Sequence, residues 1–292
     1  MILNVSSRTD VVAFYSEWFM NRYKEGFVDV RNPFYPKIVS RVYFEDVKAI
    51  FFCTKNPLPI LSYLKDINKP IIFQVTLTPY KNDVEPNVIS KEKIIEAIKK
   101  ISNIIGIDNI YVRYDPIFIS NKYNVEYHKK AFERMCYLLN GYVKKIIVSF
   151  IDDYKNVRKN INILELKSIN EEDYKQLGKS FCNCAELYDM SIQTCFENND
   201  LEKYGFKKGK CLSKELAYKL TGNLYKNWKA RKCGCVEMVD IGVYNSCKHF
   251  CRYCYANYDE GKVNCNYLNH NPKSSLLIGN LKSDDIIKRR YK

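Results

Sequence analysis

The feature that most constrains the fold is an alternation of short apolar runs with longer helical patterns. Each run is rich in β-branched or aromatic residues, which is typical of a strand. The eight runs are Ile2–Val5, Phe27–Val30, Lys48–Cys53, Pro70–Leu77, Asn109–Arg113, Lys145–Phe150, Ser191–Thr194 and Val236–Ile241. Eight strand–helix units predict an α/β fold, a (β/α)8 TIM-like barrel that is closed, partial or open. A doubly wound open sheet is the alternative.

Composition indicates a globular protein. Apolar residues make up 46% of the 292 residues, with only 11 glycines and 9 prolines, which argues against a disordered chain. No apolar run has the length of a membrane span and the first residues lack the design of a signal peptide, so we expect a cytoplasmic protein. Twelve cysteines in such a protein favour metal or redox chemistry over disulfides.

The net charge is +14, from 47 lysines and arginines against 33 aspartates and glutamates. This balance permits nucleic acid or another polyanion as a partner. Because the lysines are dispersed and no arginine-rich arm is present, we prefer the interpretation of a solvated basic surface.

Three cysteines lie on one short loop near the end of the chain, and we call Cys247, Cys251 and Cys254 the loop cysteines. Three thiolates on a 4Fe–4S cube leave one iron without a protein ligand, so an external ligand can bind there. A zinc site, or cysteines that merely pack together, are the alternatives. The nearest candidates for a fourth ligand are His249, whose side chain we expect to point outward, and Cys265, which would close the site.

Four other cysteines form a second cysteine set, Cys195, Cys211, Cys233 and Cys235. Gly234 permits the tight backbone path that two nearby thiolates need. Four thiolates would close a site, either a second 4Fe–4S cluster for electron relay, which we favour, or a structural zinc, and the alternative is that some of them are ordinary buried thiols. Four further cysteines belong to neither set, and we expect them in the hydrophobic core: Cys53, Cys136, Cys182 and Cys184.

Polar side chains gather at the carboxyl ends of the predicted strands, where barrel enzymes carry their functional groups. The candidate catalytic residues are Arg113, Asp115 and Glu197. The candidate cofactor-binding residues are Ser6, Arg8, Asp10, Lys55, Asn56 and Tyr253. Arginine forks suit carboxylates, but structural ion pairs at the barrel mouth are the alternative for each charged pair.

Several segments resemble a bacterial family known as domain of unknown function 1848. They are residues 1–10, Thr54–Pro57, Arg113–Pro116, Ser149–Asp152 and Cys233–Ala256. The likeness covers essentially the whole chain and implies no settled activity. The spacing of the loop cysteines, with Tyr253 in an aromatic position, also resembles the C-x3-C-x-aromatic-C motif of the radical S-adenosylmethionine (SAM) superfamily. That superfamily normally carries its loop early in the chain, and its Gly-Gly-Glu-type strand end is not found here.

The radical SAM resemblance implies a 4Fe–4S cluster, SAM at its open iron and a 5′-deoxyadenosyl radical that acts on an unknown substrate. It also implies a one-electron donor such as flavodoxin or ferredoxin. The first and eighth strands are neighbours in a closed barrel, so the chain would look like a circularly permuted radical SAM barrel. We divide it into a βα barrel, residues 1–246, and a cluster loop with a C-terminal extension on the barrel mouth, residues 247–292.

Two other functions stay open at this point. An iron–sulfur redox or sensor protein without SAM, with two clusters, would need a fourth ligand such as Cys265. A zinc-stabilised nucleic-acid-binding protein would use the basic surface, and its affinity would depend steeply on salt.

Overall fold

A sheet of eight parallel strands forms the centre of the computed structural model, which describes residues 1–195, 197, 200–229 and 233–291. In chain order the strands are β1 (Ile2–Asn4), β2 (Phe27–Arg31), β3 (Ile38–Tyr43), β4 (Ala49–Thr54), β5 (Ile71–Thr76), β6 (Ile110–Ile117), β7 (Lys145–Phe150), β8 (Ser191–Cys195), β9 (Lys207–Gly209), β10 (Val239–Asp240) and β11 (Ile286–Arg289). The large sheet has the order β10-β1-β4-β5-β6-β7-β8-β9, with all neighbours parallel. The predicted α/β fold with a parallel sheet is confirmed.

Most of the long helices connect the strands and pack on one face of the large sheet, and one helix covers the apolar part of the other face. In chain order the helices are α1 (Val11–Phe14), α2 (Ser16–Glu25), α3 (Lys91–Ile105), α4 (Val125–Leu139), α5 (Lys155–Lys159), α6 (Ile161–Leu164), α7 (Glu171–Leu187), α8 (Lys214–Thr221) and α9 (Glu260–Leu268). Short 3-10 helices cover Phe44–Asp46, Leu58–Asp66, Ile107–Asn109 and Glu202–Tyr204. Among the described helices, none has the length and hydrophobicity of a transmembrane span.

The predicted second strand, Phe27–Val30, is not part of the large sheet. It forms β2, which pairs antiparallel with β3, while β11 pairs parallel with the other edge of β3. Buried Asp29 of β2 accepts two hydrogen bonds of 2.8 Å from Arg41 of β3. The prediction was wrong because a strand pattern does not specify its partner. The strand that completes the eight is β9, which contains two lysines and a glycine and has no apolar pattern.

The predicted last strand is shorter than expected but has the expected neighbour. Within Val236–Ile241 only β10 is a strand, because residues 235–237 pair instead with residues 226–228. β10 pairs in parallel with β1, with Val239 opposite Leu3. The loop that carries the loop cysteines therefore follows a strand adjacent to β1, as the barrel prediction required.

The two edges of the large sheet are β9 and β10, and we call the gap between them the seam. In the part of the chain that the structure describes, no strand pairing joins these edges. One backbone hydrogen bond crosses the seam, from Val236 N to Leu212 O at 3.1 Å. The eight-stranded parallel sheet is thus confirmed, and closure into a hydrogen-bonded barrel stays a prediction.

One face of the large sheet changes from apolar to polar along its strands. Strand alternation places Ile72, Gln74 and Thr76 on the same face of β5. Ile72 belongs to a buried cluster that includes Ala217 of α8 and Leu212, which lies just before α8. α8 therefore covers the apolar part of this face, and the polar strand ends remain for a cavity.

The C-terminal extension consists of two parts with different surroundings. The loop cysteines and the two residues after them lie at the polar strand ends. The later residues pack on α2 and on the small sheet, where the Ser274 carbonyl accepts Trp18 Nε1 at 2.8 Å and the Ser275 carbonyl accepts the Asp29 N–H at 3.0 Å. These contacts of residues 274 and 275 hold the chain beside the three-stranded sheet, where β11 then pairs with β3.

His128 is buried in α4 between two hydrogen-bonding partners. Its Nδ1 lies 2.9 Å from the Tyr114 hydroxyl oxygen and its Nε2 lies 2.9 Å from the Phe118 carbonyl oxygen. Burial lowers the pKa of His128 to about 4, whereas the pKa in an unfolded chain is about 6.5. Between these two values only the unfolded chain binds the proton. The stability is therefore complete above the unfolded pKa and falls as the pH drops towards the folded pKa.

We expect acidification from about pH 7 to pH 4 to lower the free energy of unfolding by about 3 kcal/mol through His128. Urea unfolding of the wild type and of His128→Gln at both pH values measures this term, because glutamine keeps neutral hydrogen-bonding groups and cannot titrate. The variant should lose less stability on acidification than the wild type. An equal loss in the two proteins would contradict the buried neutral histidine.

Candidate functional site

A cavity of about 640 Å³ lies at the carboxyl ends of the large sheet. Its cysteines are the three loop cysteines, the four members of the second cysteine set, and Cys53, which we expected in the core. Its strand-end residues include Ser6, Asp10, Lys55, Gln74, Arg113, Asp115 and Ser149. The polar strand ends and both cysteine sets thus meet in one place, although they are far apart in the sequence.

The loop cysteines are held by backbone contacts within their own loop. Ala256 donates its N–H to Cys254 Sγ at 3.4 Å, and the Asn257 side chain binds both the N–H and the carbonyl of Cys247. Burial raises the pKa of all three loop thiols. Thiolates at these positions therefore require a nearby positive charge, which a bound metal or cluster supplies.

Glu85 anchors the cysteine loop to the strand ends, although the sequence analysis did not single it out. Its buried carboxylate accepts hydrogen bonds from two ammonium groups, Lys55 Nζ at 2.8 Å and Lys91 Nζ at 2.6 Å. Two hydroxyl groups also donate to it, those of Thr78 at 2.6 Å and of Tyr253. Burial alone would raise the pKa of Glu85, but the two ammonium groups hold it well below its usual range.

Two candidate cofactor-binding residues, Lys55 and Tyr253, line the cavity with their polar groups bound to Glu85. Lys55 Nζ also lies 5.4 Å from the centre of the Tyr253 ring. Burial would lower the pKa of Lys55, but the Glu85 carboxylate raises it overall. Lys55 is therefore charged, and it contributes a fixed positive group beside the loop cysteines.

Asp10 and His249 join the start of the chain to the cysteine loop. Asp10 Oδ1 caps α1, and its Oδ2 accepts the Thr54 hydroxyl at 2.9 Å and the Lys55 N–H at 2.8 Å. Asp10 Oδ2 also lies 3.0 Å from His249 Nε2, while His249 Nδ1 lies 3.3 Å from the Asn87 carbonyl oxygen. The prediction that His249 points outward is wrong, because its ring is buried and both nitrogens face protein acceptors.

Cys265 lies on the exposed surface of α9 and is not part of the cavity lining. Its Sγ is 3.5 Å from Asn269 Nδ2, just after the end of the same helix. His249 also lines the cavity, but its Nε2 lies beside Asp10 Oδ2 and its Nδ1 beside the Asn87 carbonyl oxygen, so both ring nitrogens face protein oxygens. The cysteine loop itself thus presents three thiols to the cavity.

Arg113 and Asp115 lie at the cavity with their charges paired. Arg113 donates Nε–H to Asp115 Oδ2 at 2.9 Å, and the Ser149 hydroxyl also donates to Asp115. Arg113 Nη1 contacts Gln74 Oε1 at 3.1 Å and Cys211 Sγ at 3.0 Å. The guanidinium group therefore connects the polar strand ends with the second cysteine set.

The remaining candidate residues differ in their distance from the cavity. Ser6 lines it, whereas Arg8, Asn56 and Glu197 do not. Arg8 Nε binds an aspartate of β10 at 2.8 Å, and the Asn56 side chain accepts a backbone N–H of its own turn. Glu197 accepts the Phe150 N–H at 2.8 Å, and burial raises its pKa to about 7. These three side chains bind neighbouring protein groups.

The second cysteine set comes together on the cavity wall. Cys195 Sγ lies 2.8 Å from Cys211 Sγ, Cys211 contacts Cys235, and Cys235 contacts Cys233. The contacts from Cys195 and Cys235 and the Arg113 guanidinium hold the pKa of Cys211 below its usual range. Among the described residues, no three or more His, Cys, Asp or Glu side chains are already arranged to hold a metal ion. The two expected metal sites therefore stay predictions.

The comparison with known protein families bears on the resemblance noted in the sequence. A family profile with the description "Domain of unknown function (DUF1848)" matches residues 2–256. The chain belongs to the DUF1848 family. The DUF1848 segment contains both cysteine sets and the strand ends that line the cavity. No curated protein matches the sequence.

Proposed function

We propose that the chain is an iron–sulfur enzyme resembling the radical SAM enzymes, with a 4Fe–4S cluster on the loop cysteines and SAM at its open iron. The observation that carries this proposal is that three thiols, of which Cys247 and Cys251 are buried, share a cavity with polar strand ends, while the next cysteine in the sequence, Cys265, lies outside it. His249 lines the cavity as well, but its two ring nitrogens face the Asp10 carboxylate and the Asn87 carbonyl oxygen. Three thiolates leave one iron open to an external ligand, whereas four would close the site.

The donor set fits such a cluster. Thiolates are the ligands of iron–sulfur clusters, and hydrogen bonds to their sulfurs tune the cluster. Cys254 Sγ already accepts the Ala256 N–H. The Lys55 ammonium is close enough to Cys251 and Cys254 to favour their thiolate forms.

The cavity has the size and the polar groups for SAM. Its volume of about 640 Å³ is within the range of roughly 300–1,000 Å³ that small-molecule sites occupy. Ser6, Ser7 and Thr9 line it beside the cysteine loop. Thr9 Oγ1 is buried and has no hydrogen-bond partner among the described residues, which is expected of a group whose partner is a ligand. A cluster held by Cys247, Cys251 and Cys254 would supply the electron for reductive cleavage of SAM to methionine and a 5′-deoxyadenosyl radical, which would abstract hydrogen from the substrate.

The other side of the cavity would position the substrate. The Arg113–Asp115 pair and Ser149 provide fixed polar groups there. The rings of Tyr154 and Tyr255, 5.6 Å apart, form part of the rim and would restrict the access of water to a reactive intermediate. The proposal also requires a one-electron donor, such as a flavodoxin or ferredoxin.

Anaerobic reconstitution with iron and sulfide, followed by SAM and dithionite, tests the proposal. We expect 5′-deoxyadenosine and methionine to form, and we expect SAM to change the paramagnetic resonance spectrum of the reduced cluster. A spectrum that SAM leaves unchanged would overturn the proposal in favour of an iron–sulfur redox or sensor protein. Zinc without iron, together with salt-dependent DNA or RNA binding, would overturn it in favour of a zinc-stabilised nucleic-acid-binding protein.

A further inference from the structure

The second cysteine set lies across the seam of the large sheet. Cys195 ends β8 and Cys211 follows β9, so both belong to one edge of the sheet. Cys233 and Cys235 precede β10, which is the opposite edge. Two thiols from each edge therefore reach one wall of the cavity.

The four sulfur atoms form a continuous chain of contacts. Cys195 Sγ lies 2.8 Å from Cys211 Sγ, and the Cys235 thiol interacts with Cys211 and with Cys233. Cys195, Cys211 and Cys235 are free thiols. Neutral thiols are weak hydrogen-bonding groups, so they gain little from such close approach to each other. A shared metal ion would explain why four thiols from distant segments gather here.

We propose that the second cysteine set binds one Zn²⁺ ion. A tetrahedral site with Zn–S bonds of about 2.3 Å holds its sulfurs about 3.8 Å apart. In a 4Fe–4S cube each thiolate binds a different iron, so the ligand sulfurs are much further apart. The 2.8 Å separation of Cys195 Sγ and Cys211 Sγ therefore fits two ligands of a single ion better than two ligands of the second cluster that the sequence favoured. Binding requires Cys195 Sγ and Cys211 Sγ to separate by about 1 Å, and the four thiols release their protons to solvent.

Two neighbouring features suit four thiolates. Arg113 donates Nη1–H to Cys211 Sγ at 3.0 Å, and its positive charge offsets part of the negative charge that four thiolates bring to a divalent ion. Gly234 has a φ of 69°, which glycine adopts without strain. The chain can therefore turn between Cys233 and Cys235, so that two cysteines separated by one residue reach the same site.

The ion would join two edges that the backbone barely connects. A single backbone hydrogen bond between Val236 and Leu212 crosses the seam in the described part of the chain. A zinc ion with four thiolate ligands has no open position, so its role is structural. It would also fix Arg113, which contacts both Cys211 and Gln74. This inference does not depend on a cluster at the loop cysteines.

The test uses the full chain with all three loop cysteines replaced by alanine, so that any remaining metal belongs to another site. We expect about one zinc per chain and no iron when this loop variant is purified without added metal. Adding Cys211→Ala and Cys235→Ala should remove the zinc and lower Tm by about 5–10 °C. Adding Cys265→Ala instead should change neither quantity, because that thiol is exposed on α9.

Each other outcome overturns a defined part of the proposal. A loop variant that is folded by circular dichroism and contains no metal refutes the site. Iron and sulfide in place of zinc refute the single ion, and zinc retained without Cys211 and Cys235 refutes these ligands. If the variant lacking five cysteines does not fold, a mercurial reagent that reacts with thiols is added to the loop variant. Release of about one zinc per chain as four thiols react supports the site, and no release of zinc refutes it. The loop cysteines are absent throughout, so failure here is distinct from failure of the proposed enzyme.

Discussion

Replacement of Cys251 by alanine is expected to remove the iron at the loop cysteines and to reduce 5′-deoxyadenosine formation by at least about 100-fold. Cys251 is buried and lines the cavity between the other two loop cysteines in sequence. Loss of an outer partner of a metal ligand already lowers affinity or activity by about 10–100-fold, and loss of the ligand itself is more severe. The measurements are the iron and sulfide content of the anaerobically reconstituted protein and the SAM cleavage products.

Cys136→Ala and Cys265→Ala are the matched controls for this experiment. Cys136 is buried in α4 and Cys265 is exposed on α9, and neither lines the cavity. Both variants should keep the iron content and the cleavage activity of the wild type. Full iron content in Cys251→Ala, or loss of iron in Cys265→Ala, would contradict the assignment of the loop cysteines as ligands.

Glu85→Gln is expected to lower the free energy of unfolding by about 3–5 kcal/mol. The Glu85 side chain is buried and is the partner of both Lys55 and Lys91. Glutamine keeps the shape and an acceptor oxygen, but it leaves the Lys55 ammonium buried without a counter-charge. Urea unfolding near neutral pH measures the loss. The reconstituted iron content should fall as well, because Tyr253 loses the carboxylate that anchors the cysteine loop.

Glu92→Gln is the matched control, because Glu92 is exposed in the first turn of α3. Its effect should stay within about 0.5 kcal/mol. The pKa of Glu85 is depressed in the folded chain, so its contribution is complete above the unfolded pKa and is lost progressively as the pH falls from that value through the folded pKa. The difference between the wild type and Glu85→Gln should therefore stay constant from about pH 8 to pH 5. Similar stabilities of the Glu85 and Glu92 variants would contradict the buried network.

The helices were the part of the fold that local pattern predicted best. α4 covers an amphipathic segment, Val125–Leu139, and α3 begins after Ser90, whose side chain accepts the Lys93 N–H as an N-cap should. α2 ends before Gly26, which has a φ of 86°. These helix signals depend on residues within one or two helical turns of each other, so they can be recognised in the sequence without knowledge of distant contacts. The placement of β2 was wrong for the same physical reason. Its local pattern predicts a strand, but it does not specify that this strand pairs with β3 instead of joining the large sheet.

The site residues divide along a similar line. Glu85 lies in a polar stretch between β5 and α3 that has no periodicity, and its burial depends on Lys55, Lys91 and Tyr253 from three other segments. His249 looked like a surface residue between two cysteines, but Asp10 from the start of the chain binds its ring. No signal within these stretches identifies such partners, because a buried charge is specified by what packs against it.

By itself, the sequence determined an α/β chain with a parallel sheet, polar strand ends and three cysteines on a loop after the last of the predicted strands. These features follow from residue type and from spacing along the chain, which act over a few residues. Only the tertiary structure decided that both cysteine sets share one cavity, that Glu85 and Asp10 hold the cysteine loop, and that the second cysteine set spans the seam. The physical reason is that these arrangements depend on which distant segments pack together, and burial and charge pairing are properties of the packed chain.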